Sequence, residues 1–421
     1  MTDSAADGRD RRVQSQYESY PYPARDPADE KERLITGSPS NLHELNHYVF
    51  GGTRDLTKPL RVLAAGGGTG DAAIMLAQQM NDNGIPGEVV HLDLSEPSQA
   101  IAKARADARG LENMHFVKGS LLDVAKVAPG PWDYIDCCGV LHHLEDPETG
   151  LRKLAGQLAD DGGIGVMVYG EYGRTGVYHM QNMLQKIAPG DELEDDERID
   201  LARRLTNSLP ATAWLLRNGL IQDHVSGGDA GLYDLFLHSR DRAFLVPDVD
   251  NFIKQAGLRL AGFIEPFRYD PDWFLRDPRL AKRLRNLDPM ARAAFAELLT
   301  GNLHKHIFYA VQAGNPVSVP GTDDPGTVPH LVNLHPLDLA GSLPTGGKIN
   351  ITADGLKIEM TVPALSRAIA ALCDGTRSLA DIHAAIREKR SDLDYGSFMR
   401  QFEQFYQVMN AINRVVLRRP V

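Results

Sequence analysis

Between residues 60 and 170, short apolar runs that stop at a glycine or a carboxylate alternate with stretches of helical spacing. Val62, Leu63, Ala64 and Ala65 form a run of the kind that fills a central parallel strand, and Gly66 ends it. The segment DAAIMLAQQM at 71–80 follows, rich in good helix formers with Ile74 and Ala77 or Gln78 at helical spacing, so residues 66–70 make a strand-to-helix turn. The pattern predicts strands at 61–66, 88–94, 114–118, 133–139 and 164–169, with helices at about 71–82, 97–109 and 147–159. Such alternation imposes right-handed crossovers and a parallel sheet covered on both faces. Ligands then sit at the carboxyl ends of its strands, where Gly66, Asp93, Ser120 and Cys137 emerge.

After residue 170 the alternation breaks. EYGRTGVYHMQNMLQ at 171–185, a helical stretch at 195–209, and Trp214 with Leu215 form an insertion, 171–245, at the active end of the sheet, where a substrate lid belongs. From Pro247 a helix, the strand LRLAGFIEP, a polar helical region and a strand at 304–313 close the domain, with the final strand antiparallel. Residues 314–329 are rich in Pro and Gly and read as a linker. In 330–421, apolar and polar positions alternate on both sides of Asp354-Gly355, a hairpin signal. Three helices follow. The first opens at Pro363, the second is capped by Ser378, and the third carries Phe398, Phe402, Phe405, Met409 and Ile412; a short strand, RVVLRR, ends this winged-helix-like module. At the other end, 1–50 comprise an arm and a leading helix: 1–15 are charged and expected to be disordered, whereas the Tyr- and Pro-rich stretch after them should pack on the fold.

The glycines carry the first chemical signal. Gly66, Gly68 and Gly70 let the backbone take positive φ and let a ligand come close. A dinucleotide fingerprint needs glycine at 71, where Asp71 stands and a pyrophosphate would be repelled. Asp93, at the end of the second strand, can accept both hydroxyls of a ribose, so the expected ligand has a ribose and no pyrophosphate.

AGGGTG, DLSEPSQAIAKARA, FVKGSLLDV and WDYIDCCGVLHHLEDP, in that order over roughly 60–170, resemble the motifs of the class I S-adenosylmethionine-dependent methyltransferases. The resemblance implies a doubly wound, Rossmann-like α/β sheet with a helical lid, next to the small C-terminal α+β unit. It implies S-adenosyl-L-methionine as cofactor, cradled by Gly66, Gly68 and Gly70. Asp93 would hold the ribose, Ser120 and Leu121 the adenine, Leu94 would also touch the cofactor, and the backbone of Cys137 and Gly139 would lie near the methyl donor. Many members carry an acid at the position of Ala64, so here that contact with the methionine ammonium must come from elsewhere.

The implied reaction is methyl transfer to an O or N nucleophile of a small-molecule or peptide acceptor. His142 and His143 are candidate bases, or else shape their loop, and Tyr178 is a further catalytic candidate. Tyr172, Arg174 and His179 on the lid, Arg240 in the cluster at 238–242, and Tyr22 and Arg25 on the arm, with Tyr17, are expected to line the acceptor cleft. Arg174 suits a substrate carboxylate, and pairs with Glu171 or Asp234 if its role is structural. The rival reading is a cofactor-binding sensor or scaffold without turnover that signals through 330–421. The sequence DGTRSLADI there weakly resembles peptide-chaperone domains, which makes peptide docking or dimerisation the expected role.

Charge narrows the partners. Lys plus Arg total 45 against 56 Asp plus Glu, a net charge of −11, which disfavours nucleic acid and anionic membrane. Cys137 and Cys138 are adjacent in a strand and Cys373 is distant, so no disulfide framework is expected. The first residues lack an apolar signal core and no run of eighteen apolar residues occurs, which points to the cytoplasm. His43 and His47 stand at i, i+4, a spacing metals use; with no third ligand at motif spacing, no metal is expected.

Overall fold

The computed structural model describes residues 20–189 and 193–420, together with Glu18. Its centre is a sheet of seven strands: β1 (Leu60–Ala65), β2 (Gly87–Asp93), β3 (Met114–Lys118), β4 (Trp132–Cys138), β5 (Leu158–Tyr169), β6 (Leu258–Phe263) and β7 (Lys305–Gln312). They lie in the order β3-β2-β1-β4-β5-β7-β6. The first five are parallel, and β7 runs antiparallel between β5 and β6. The strands are apolar on both sides because both faces are covered, one core forming around Leu63, Ile135, Val166 and Phe308 and another around Val62, Tyr134 and Tyr309.

Around residue 158 the boundary between helix and strand differs from the sequence reading. The helix from Pro147 stops at Ala155 and β5 begins at Leu158, six residues earlier than its apolar run suggests. Gly162 and Gly163 are what allow this: a Cβ on Gly163 would come within 2.7 Å of Val49, and the β4–β5 register shifts between Trp132 and Tyr134. Further along, Gly165 faces Tyr134, whose hydroxyl donates to the Pro39 carbonyl at 2.7 Å, as does that of Tyr309. A Cβ on Gly165 would fall 1.9 Å from the Tyr134 hydroxyl and 2.8 Å from Pro39. Gly165→Ala is therefore expected to destabilise the fold by about 1–3 kcal/mol, read as a lower urea midpoint at unchanged slope.

The chain leaves the sheet at Gly170 and returns beside it at Phe244, whose amide donates to the Tyr169 carbonyl at 2.8 Å. Between them, helices Val177–Ile187, Asp195–Asn207 and Gly228–Phe236 share a core of Val177, Met180, Leu184, Ile199, Leu232 and Phe236.

The C-terminal part is held closely to the rest. β8 (Val328–Leu331) pairs antiparallel with the last strand, β11 (Val415–Arg418), so 328–329, read as linker, begin a strand. The hairpin β9 (Gly347–Ala353) and β10 (Leu356–Val362) turns at Asp354-Gly355, both at positive φ as a tight primed turn requires. That turn docks on the sheet domain, with Arg268 2.7 Å from Asp354. The helix expected from Pro363 begins at Ser366, and the stripe Phe398, Phe402, Phe405 of the helix Tyr395–Ala411 is core. The leading helix, Leu42–Tyr48, seats against β11. Its buried Glu44 is bonded by Ser38, Tyr309 and Asn413, and the ring of buried His47 meets the backbone of Leu417. No described helix is long and apolar enough to cross a membrane.

Candidate functional site

Four loops meet at the carboxyl edge of β1 to β4. Gly68 (φ 52) and Gly70 (φ 102, immediately before the helix Asp71–Asp82) take left-handed conformations that L side chains rarely adopt. The Asp93 carboxylate holds this loop, Oδ2 accepting from the Gly68 amide and Oδ1 from the Ser95 amide, both at 2.8 Å. Each oxygen keeps acceptor capacity for a further hydroxyl. Buried His91 braces the same loop through the Gly68 carbonyl at 2.9 Å. Leu94 is partly exposed beside Asp93, Ser120 caps the short turn that begins at Leu121, and Gly139 follows β4 at φ 77. Cys137 is different. Its side chain is fully buried in the core, where burial pushes the thiol up, so only its backbone belongs to this edge.

The arm lies across the glycine loop. The Tyr22 carbonyl would stand 3.3 Å from a Cβ on Gly68, and the Thr69 hydroxyl donates to the Pro23 carbonyl at 2.9 Å. Arg25, expected against substrate, instead grips Asp71 with Nε at 2.9 Å and Nη2 at 2.6 Å. Burial works against the Asp71 charge, but Arg25 and Arg105 outweigh it and keep its carboxyl below the usual range. Arg105 also binds Glu30, both side chains nearly inaccessible, and so anchors the arm. On the lid side Tyr20 stacks on Tyr233 at 5.3 Å, and Tyr22 is half-buried close to Asp223, Asp234 and Arg174. Tyr17 lies outside the described residues.

Between arm, lid and sheet is a buried polar cluster. Arg174, suited by sequence to a substrate carboxylate or to Glu171 or Asp234, pairs with Asp241 at 3.0 Å, their side chains 4% and 1% exposed. Its guanidinium also lies 3.6 Å over the Tyr169 ring and donates to the Tyr178 hydroxyl at 3.1 Å. Tyr178 is thus oriented by an arginine that is itself fixed. Tyr172 is half-buried, whereas His179 is exposed, about 100° round the helix from Tyr178. The Arg240 side chain reaches Glu145 at 3.2 Å, and its backbone does something more specific.

The Arg240 carbonyl, which can only accept, lies 2.7 Å from His143 Nδ1, and the Arg240 amide, which can only donate, lies 3.1 Å from His238 Nδ1. A neutral His143 therefore carries its proton on Nδ1 and presents a lone pair at Nε2, while neutral His238 carries its proton on Nε2. One residue imposes opposite tautomers on two rings stacked at 3.7 Å. His143, His238 and Asp234 each offer an atom within 4.8 Å of the others, the one described group of metal-ligating side chains. The near-parallel rings and the proton on His238 Nε2 suit proton handling better than shared coordination of an ion. His142 sits deeper, fully buried against Tyr169 at 4.1 Å, with neither ring nitrogen bonded. Burial first, with Arg174 adding to it, holds it neutral. His238 is likewise held neutral chiefly by burial.

Other buried imidazoles follow the same rule, and it sets an acid limit on the fold. Burial lowers His47 and His304 to about 4, and burial with His43 and Arg418 lowers His330 to about 3. Unfolded imidazoles take up protons near 6.5, so between there and about 4 the unfolded chain binds more protons. Asp136, raised by burial to about 6, and Glu44, also raised by burial, contribute the opposite sign but are outnumbered by the buried imidazoles. The urea midpoint is expected to fall steadily as pH drops from about 6.5 to about 4.5; a flat profile contradicts neutral burial of these rings.

Tyr169 and Glu30 were not singled out by sequence, whereas His238 and Asp241 were visible only as members of the polar cluster at 238–242, a pocket wall or a junction with the core. Ala64 is core, and the carboxylate opposite it in register on β4 is Asp136, bonded to Ser40 at 2.7 Å.

With this geometry, three kinds of relative can be compared. The family model described as a methyltransferase domain matches residues 63–164. A protein of Synechococcus sp., named only as uncharacterised, is 30% identical over 310 residues, 70% of each chain. The tRNA 5-carboxymethoxyuridine methyltransferase of Escherichia coli K12 is 36% identical over 115 residues, 27% of this chain and 42% of its own. Among solved structures, PKMT2 from Rickettsia typhi in complex with AdoHcy superposes with a TM-score of 0.64 at 16% identity, over 92% of this chain and 77% of its own.

Proposed function

Because the chain belongs to the class I S-adenosylmethionine-dependent methyltransferases, a catalyst family with S-adenosyl-L-methionine as cofactor, we propose that it methylates an oxygen or nitrogen nucleophile that arrives carrying a proton, on a small-molecule or peptide acceptor held under the lid. The observation that carries this is the His143 tautomer: Nδ1 is committed to the Arg240 carbonyl, which leaves Nε2 as a base. A carboxylate acceptor needs no such group.

The residues present fit the cofactor. Asp93 has acceptor capacity left on both oxygens for a ribose, the glycine loop takes the left-handed turns that such a site uses, and Ser120, Leu121 and Gly139 border the same edge. Asp136 is the carboxylate best situated to stand in for the acid absent at Ala64. The bound cofactor supplies a methyl group already activated by its sulfonium. The chain's own work is to align the acceptor, exclude water and take a proton at His143 Nε2. Tyr22 and the lid helices cover the polar cluster, Arg174 orients Tyr178, and Arg240 fixes both histidines. Residues 330–420 serve as a peptide-docking or dimerising module of winged-helix type.

The test is transfer of labelled methyl groups from the cofactor to fractionated cell extract, followed by mild alkali. Label that resists alkali marks an ether or amine and supports the reading. Label released as methanol marks a carboxyl ester and overturns it. The second reading, a sensor without turnover, rests on Ala64, and stoichiometric binding with no transfer would establish it.

A further inference from the structure

A cavity of about 400 Å³ lies away from the methyl-transfer edge, at the amino ends of β1 and β2, where the C-terminal part meets the sheet domain. Its walls come from the leading helix (His43), the loops before β1 and β2 (Asp55, Asn83), the β8–β11 pair (His330, Arg418) and the turn at Gly375. The pairing builds the cationic wall: His330 lies opposite Val416, so Arg418, two residues on, leaves the strand on the same face. Arg418 Nε donates to His330 Nε2 at 3.3 Å, which puts the His330 proton on Nδ1. An imidazole does not neutralise a guanidinium, and among the described residues Arg418 has no carboxylate partner.

The other charges of this wall are committed. Arg54 pairs with Asp133 at 3.2 Å, Asp55 is bonded by Thr57 and lies 3.8 Å from Lys58, and Asp374 is bonded by Thr376 and Arg377. His43 stacks on His330 at 4.4 Å, and its ring has no hydrogen-bond partner among the described residues. Gly375 (φ 78) admits His330 because it has no side chain: a Cβ there would stand 2.8 Å from His330 Nδ1. The cavity thus gathers an unneutralised guanidinium, an imidazole N–H and an uncommitted imidazole, all able to face an oxyanion.

We propose that this cavity binds a small phosphate-class anion, seated on Arg418 beside the edges of the His43 and His330 rings, and that its occupant joins the C-terminal part to the methyltransferase sheet. Phosphate stands for two sources, the free ion and the phosphoryl group of a larger metabolite, and the volume admits either. Burial and Arg418 keep His43 neutral, and burial, His43 and Arg418 do the same for His330. The charged groups facing the pair are Arg418, Arg54, Asp55 and Asp374. A bound anion opposes Arg418 and favours protonation of His43, whose ring nitrogens are uncommitted, while His330 keeps accepting from Arg418, so affinity rises as pH falls.

The test uses the full chain. Inorganic phosphate and glycerol 3-phosphate are titrated against chloride at matched ionic strength, with the unfolding temperature and calorimetric heat as readouts. Sulfate, whose charge is constant, is titrated at about pH 6 and about pH 8. Saturable binding is expected, tighter at the lower pH, and weakened tenfold or more by Arg418→Gln with cofactor affinity unchanged. Tighter glycerol 3-phosphate identifies a phosphomonoester, and tighter inorganic phosphate the free ion; both support the site. Binding no stronger than chloride, or undiminished in Arg418→Gln, overturns it. Should that variant fail to fold, His43→Gln decides: it should flatten the pH dependence, and an unchanged dependence overturns the proposal.

Discussion

His143→Gln is expected to lower kcat by about 10²- to 10⁴-fold while leaving cofactor affinity within about twofold, the loss characteristic of a removed general base. Glutamine keeps much of the volume and can donate to the Arg240 carbonyl, but offers no basic nitrogen where Nε2 stood. The ring has no role in holding the glycine loop, which Asp93 and His91 secure from the other side of the edge. Steady-state rates and calorimetry with S-adenosylhomocysteine separate the two effects. Turnover retained within a few fold would show that the acceptor needs no base, as for a carboxylate, and the proposed acceptor class would be wrong.

Asp93→Ala acts earlier in the cycle. It removes the acceptor for the Gly68 and Ser95 amides and, in the proposed site, both contacts to the ribose. A hydrogen bond to a charged group contributes about 1.5–3 kcal/mol, so losing two to the cofactor weakens binding by about a hundredfold or more. Asp93→Asn keeps the shape and one acceptor oxygen, and should fall between. The measurement is the dissociation constant for S-adenosylhomocysteine, with kcat at saturating cofactor as a control. An unchanged constant in the alanine variant would remove Asp93 from the ribose site.

Much of the sheet was legible because buried parallel strands are written as local apolar runs: β1, β2, β3, β4 and β7 lie within a residue of their expected bounds. The start of β5 was not, since Gly162 and Gly163 look like a break unless the close approach of Val49 is known. The cofactor edge was legible for a related reason, its loops being pinned to strand ends. The polar cluster under the lid was much less so. Arg174 and Asp241 are 67 residues apart, Arg25 and Asp71 are 46, and Glu30 and Arg105 are 75. A sequence shows which charges exist; the path of the lid and arm decides which of them meet. The pairing of His143 with His238 is of the same kind, and only the backbone of Arg240 reveals which nitrogen holds each proton.

The seat of the leading helix bears on how the molecule is made. Glu44 and His47 are 0% and 2% exposed, and their partners Asn413 and Leu417 are encoded some 370 positions later. All seven strands of the sheet have been synthesised once β7 is complete at Gln312, yet this carboxylate and this imidazole still lack their cover. A polypeptide released after residue 330 would hold all seven strands and the lid, with its leading helix short of the partners that β11 and Asn413 supply. Translation of β11 is what finishes the catalytic half.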